Sequence, residues 1–177
     1  MKKKAQFYIS LLFLVAILSS CKDEPIQPID MLPPATNEGK NTFGCLIDGE
    51  AFIGNAGWPA FDVSATFNTD SKRFALQGVE TNNDLNSSLG FIFYLNDGVG
   101  KYPYEFSGTT SKCFYTHDPT FGCNFYYHNP DNPGSVSVTY FDTLNRIASG
   151  TFEMDLINNS CDKTLMLVRD GRFDVRF

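Results

Sequence analysis

The sequence predicts an all-β fold, an antiparallel β-sandwich of about eight to ten strands, and three observations carry the prediction. Aromatic residues are abundant, with 17 Phe and 8 Tyr in 177 residues. Apolar and polar residues alternate in short runs, and Asn, Asp and Gly interrupt those runs at close intervals. No segment carries the three-to-four-residue apolar stripe of an amphipathic helix.

Taken along the chain, "GFIFYL" at Gly90 to Leu95 is apolar on both faces and reads as a central strand. "SVSVTYF" places Val136, Val138 and Tyr140 on one face and Ser135, Ser137 and Thr139 on the other. "GTFEMDL" sets Phe152, Met154 and Leu156 against Thr151, Glu153 and Asp155. Both are strands with one wet face. "TLMLVRDGRFDVRF" reads as two strands around a type I′ turn at Asp170 and Gly171, with Val168 opposite Phe173, Met166 opposite Val175 and Thr164 opposite Phe177. Turns such as "NTDSK" and "LNDG" are Asx-rich, where side-chain oxygens bond nearby backbone.

Residues 1–20 form a leader: Lys2, Lys3 and Lys4, then an apolar run from Phe7 to Leu18 broken only by Ser10. The run is too short for a membrane span, which needs about 20 residues. Leu18, Ser19, Ser20 and Cys21 resemble the bacterial lipobox, so Cys21 is the expected lipid-attachment site and mature N-terminus. A thiolate is the nucleophile such a thioether needs. Lys22, Asp23 and Glu24 resemble the export signal of surface lipoproteins in Bacteroidota. The expected address is therefore the outer membrane, lipid-anchored, on the cell surface. Residues 21–40 hold four prolines without periodicity and read as a tether, leaving 41–177 as the sandwich domain.

The formal charge is −6, and loss of the three leader lysines takes it to −9. Nucleic acid is not an expected partner, because phosphate contacts need a basic patch. Four cysteines remain after Cys21, and an even number in an exported chain points to two disulfides. Cys113 with Cys123, and Cys45 with Cys161, is the expected pairing. Cys113, His117, Cys123 and His128 also offer two thiols and two imidazoles, but their spacing differs from zinc-site patterns, so no metal is expected.

"NTFGCLIDGEAF" at Asn41 to Phe52, "FDTLNRIASGTFEMDL" at Phe141 to Leu156 and "DGRFDVRF" at Asp170 to Phe177 resemble a family of Bacteroidota lipoproteins built on a domain of unknown function. The resemblance implies export and a β fold and names no reaction.

The sequence contains no nucleophile, zinc-protease or phosphate-loop motif, so no catalytic residues and no cofactor are expected. What remains is aromatic: Tyr126 and Tyr127 are consecutive in a strand, so they point to opposite faces. With Trp58, they are the candidate ligand-binding residues. The expected role is a non-enzymatic binding domain for a glycan or protein ligand, with the membrane as partner through the lipid. A structural envelope lipoprotein that packs with other proteins is the alternative, and a hydrolase without a motif the remaining one. A flat apolar sheet face would favour packing with protein, a solvent-facing row of aromatics beside Asn and Asp would favour binding, and a deep pocket with clustered histidine and carboxylates would favour catalysis.

Overall fold

Eleven strands and one helical turn follow the chain in order in the computed structural model, which describes residues 25–54, 63–82, 85–104, 113–116, 125–159 and 164–177. The turn is α1 (Pro28–Met31). The strands are β1 (Thr42–Ile47), β2 (Glu50–Ile53), β3 (Val63–Asn68), β4 (Arg73–Asn82), β5 (Leu85–Tyr94), β6 (Gly100–Pro103), β7 (Cys113–Thr116), β8 (Phe125–His128), β9 (Ser135–Asp142), β10 (Ile147–Ile157) and β11 (Leu165–Arg176). Every pairing is antiparallel. One layer runs β2-β1-β11-β10-β9-β6 and the other β3-β4-β5-β7-β8. Among the described residues, the strand pairing between the layers is that of Tyr127 and His128 of β8 with Ile157 and Leu156 at the end of β10. The chain is thus the antiparallel β-sandwich its periodicity predicts, and Gly90 to Tyr94 of "GFIFYL" lie in β5, flanked by β4 and β7.

Aromatic rings fill the space between the layers. Phe43 of β1 stacks on Phe152 at 4.9 Å between centroids, and Phe91 of β5 meets the same ring at 4.9 Å. Such pairs add about 0.5–1.5 kcal/mol each beyond the area they bury. The abundance of Phe therefore reflects a core whose two sheets meet largely through rings. Gly78 of β4 lies under the Phe43 ring so closely that a Cβ would overlap it. In β9 a register shift opposite Ser149 and Gly150 turns the strand, so Phe141, not Tyr140, packs against Phe67 and Phe177. Asn68 closes the β3–β4 turn as an Asx residue, its Oδ1 accepting from the backbone N–H of Asp70 and Ser71 at 3.1 and 2.8 Å.

The expected C-terminal hairpin is not formed. Leu165 to Arg176 is a single strand, paired with β10 on one edge and β1 on the other, and Asp170–Gly171 is a bulge within it. Asp170 adopts φ 54°, while both residues of a type I′ turn would need positive φ. A bulge inserts one residue and so switches which parity faces the core. Met166 and Val168 before it, and Phe173 and Val175 after it, are consequently all buried. An alternating pattern that changes phase at Asp-Gly fits a two-residue hairpin and a bulge equally well. The type I′ geometry occurs instead at another Asp-Gly pair, Asp48 (φ 52°) and Gly49 (φ 91°), which joins β1 to β2 with Ile47 opposite Glu50.

Leu32 to Lys40 lies as a strap on the outer face of β1 and β11, with Leu32 and Gly39 buried. Pro33 covers Gly44, where a Cβ would meet its ring at 2.6 Å. The strap is held by Asp174, which is 1% exposed. Its carboxylate accepts from Thr36 Oγ1 at 2.5 Å, from the backbone N–H of Gly39 at 2.7 Å, of Glu38 at 3.1 Å and of Lys40 at 3.2 Å, and from Ser149 Oγ at 2.8 Å. Burial pushes the Asp174 pKa up, but the donors from Thr36, Ser149, Gly39 and Glu38 outweigh it and hold it at about 2.

The cysteine scheme is corrected at Cys45, which is a free thiol buried in the core. In β1 it lies between Gly44, opposite Arg172 of β11, and Leu46, opposite Arg169, and its partner in β2 is Phe52. Burial, and then the nearby Glu80 carboxylate, push its pKa well above the usual thiol range. Cys123, Cys161 and the side chain of Cys113 lie outside the described residues.

Candidate functional site: the outer face of β10

β10 alternates as its sequence demands. Phe152, Met154 and Leu156 enter the core, so Thr151, Glu153, Asp155 and Ile157 stand on the outer face of the six-stranded layer. Directly opposed residues on neighbouring strands share a face, which extends each of these positions into a row. Three rows give this face three different chemistries.

At the end of β10, Ile157 pairs with Tyr127 of β8 and with Leu165 of β11. Phe125, two residues before Tyr127, and Leu167, two after Leu165, extend the row into a ledge. Phe125 is 51% exposed, Tyr127 47%, Leu165 43% and Leu167 36%. The Phe125 and Tyr127 rings lie 6.4 Å apart and within 13° of parallel. Backbone on both sides is fixed: Asn158 Nδ2 donates to the Phe125 carbonyl at 2.8 Å, and Leu167 N–H donates to Asp48 Oδ1 at 3.0 Å. The ledge is therefore a rigid apolar surface rather than a loop.

Of the two consecutive tyrosines expected to bind ligand, Tyr127 stands in this ledge and Tyr126 does not. Tyr126 is buried, its ring 6.3 Å from Tyr115. His128 is also buried, which lowers its pKa and keeps the imidazole neutral. Trp58, Cys21, Lys22, Asp23, Glu24 and His117 lie outside the described residues. Sequence reading missed Phe125, Ile157, Leu165 and Leu167. The exposed parity of Leu165 and Leu167 was visible, but their membership of one surface with β8 depends on the β8–β10 pairing.

In the middle of the face, Asp155 is closed off. Arg169 Nη2 approaches its Oδ1 at 2.6 Å and Asn132 Nδ2 donates to its Oδ2 at 2.6 Å. This polar pair separates the ledge from a groove of about 540 Å³. The floor of the groove is a second cross-strand row, Lys101 of β6, Ser137 of β9, Thr151 of β10 and Arg172 of β11. Glu153, Asp170 and strap residue Ala35 form its walls. Among the described residues no group of three His, Cys, Asp or Glu side chains is placed to hold a metal ion.

No protein-family model, no curated protein and no solved structure matches this chain.

Proposed function

We propose that this protein is a lipid-anchored outer-membrane lipoprotein of the cell surface whose sandwich is a non-enzymatic module for binding a protein partner. The ledge of Phe125, Tyr127, Ile157, Leu165 and Leu167 carries the reading. Contiguous exposed apolar surface on a rigid sheet face marks a contact site, because leaving it in water forgoes roughly 25 cal/mol per Å² of burial. Three aliphatic residues among the five favour protein over glycan. A sugar-binding surface draws on flat rings and hydrogen-bonding rims, whereas Ile and Leu side chains suit the apolar centre of a protein interface.

The address rests on the lipobox-like Leu18–Cys21 and on Lys22, Asp23 and Glu24, and with the lipoprotein-like motifs of the domain it supports a Bacteroidota lipoprotein. In intact cells, a photo-crosslinking residue placed at 127 or 165 is expected to couple to one protein species, while the same residue at Thr66, on the exposed β3 edge of the other layer, does not. Adducts of equal yield from all three positions, or none from 127 and 165, would refute the ledge as the contact surface. Cys21→Ala is expected to move the protein into the soluble fraction, and retention in membranes would refute the anchor separately.

A further inference from the structure

We infer that the polar groove beside the ledge is a binding site for a short, uncharged oligosaccharide. The inference is independent of the protein partner proposed for the ledge.

The shape comes first. The groove of about 540 Å³ adjoins a second, wider concavity of about 440 Å³, and both are lined by Lys101, Ser135 and Glu153. Volumes of about 300–1,000 Å³ are those of small-molecule sites. The row from Lys101 to Arg172 crosses four strands, a length of about 14 Å at the usual strand spacing. It thus offers an elongated bed, not a point site.

The lining selects the chemistry. Ser137 and Thr151 place hydroxyls along the floor, with Lys101 and Arg172 as donors at its two ends and Glu153 and Asp170 as acceptors beside it. Two cations and two carboxylates balance, in a chain whose formal charge is −6. A polyanion would meet Glu153 and Asp170 within an acidic molecule, and a polycation would meet Lys101 and Arg172. An uncharged molecule that both donates and accepts through many hydroxyls satisfies all four without leaving a buried charge unpaired.

The groups are also available. Among the described residues Lys101, Glu153, Asp170, Ser137 and Thr151 have no side-chain hydrogen bond or ion pair within the protein, so a ligand need not break one. Arg172 is partly pre-set by Nη1 donating to the Pro33 carbonyl at 3.3 Å. Pro103 and Pro133 add apolar contact at the wider end, which suits the C–H faces of a sugar ring.

The test uses the full lipidated protein in detergent micelles, titrated calorimetrically with maltotriose, cellotriose, chitotriose and tri-galacturonic acid. At least one neutral trisaccharide is expected to bind, with at least tenfold weaker affinity in Glu153→Gln and in Thr151→Val and unchanged affinity in Tyr127→Ala. Circular dichroism of the groove variants checks that each remains folded. Absence of binding by all three neutral sugars would overturn the inference, as would tighter binding of the acidic trimer. Loss of sugar binding in Tyr127→Ala with none in the groove variants would overturn it too, and would at the same time count against a protein partner at the ledge. Crosslinking from positions 127 and 165 without any sugar binding would leave the ledge reading standing and sink this one.

Discussion

Replacing Asp174 by asparagine removes one charge, keeps the shape and leaves one acceptor where five donors converge. The magnitude follows from the proton linkage. The carboxyl is held at about 2 against an ordinary 3.8, so the ionised form is favoured by roughly 1.8 pKa units, or about 2.5 kcal/mol at 1.36 kcal/mol per unit. Because the folded pKa is depressed, this stability is fully present above about pH 4. It is lost as pH falls through about 2. Asp174→Asn is therefore expected to cost about 2–3 kcal/mol at pH 7, and Asp174→Ala, which strands Thr36, Ser149 and three backbone N–H groups, about 3–5 kcal/mol. Urea denaturation at pH 7, 4 and 2 measures both the loss and its pH dependence. Wild type is expected to lose its advantage over the asparagine variant between pH 4 and 2. Trypsin supplies a local readout, since freeing the strap exposes the bond after Lys40 in the variant first. Equal midpoints at pH 7, or a difference that persists undiminished at pH 2, would refute the latch.

Gly171→Ala brings a Cβ within 2.5 Å of the Phe152 ring and of its backbone oxygen, and the backbone atom cannot yield cheaply. About 2–3 kcal/mol of destabilisation is expected in a thermal melt, whereas Gly49→Ala, with open space around it, should lose only the cost of its positive φ. Cys45 is expected to resist thiol reagents in the native protein and to react in urea at the rate of global unfolding; fast native labelling at residue 45 would contradict its burial. Glu80 Oε1 accepts the backbone N–H of Ile53 on edge strand β2 at 3.1 Å, so Glu80→Ala should cost about 1–2 kcal/mol and raise light scattering on storage as the edge is uncapped. Desolvation raises the pKa of Glu80. Its raised pKa opposes the effect at Asp174: the cost of keeping this carboxylate charged is present at neutral pH and is relieved as pH falls from its raised folded value to the ordinary carboxylate value.

Alternation alone made the strands legible. In "GTFEMDL" three side chains enter the core and three leave it as read, because a two-residue period has one interpretation once a face is buried. Phase changes were a different matter. At Asp170 and Gly171 the pattern shifts parity, and the sequence contains nothing local that separates a chain reversal from a bulge. The choice was made by β1 and β10, which both need β11 as a continuous partner, and by Phe152, which fills the space above Gly171. The same limit applies to the ledge. Alternation sets Tyr127 opposite Tyr126 and Leu165 and Leu167 opposite Met166 and Val168, yet which face is outward, and their assembly into one surface, come from the short β8–β10 pairing between distant segments. Asp174 shows it again, since an acidic residue at an outward strand position reads as solvated until the strap that covers it is in place.

That strap changes how the anchor would hold the domain. With residues 21–40 free, the tether from Cys21 would reach at most about 70 Å at 3.3–3.6 Å per residue. With Leu32 docked, only ten residues would lie between a lipidated Cys21 and the sandwich, and the limit would fall to about 40 Å, less the shortening by α1. Four of the hydrogen bonds at Asp174 fasten the C-terminal half of the strap, Thr36 to Lys40, and Pro33 packs over Gly44 beside Arg172. On the proposed lipid anchor, a strap docked in this way would shorten the free tether and restrict how freely the domain turns.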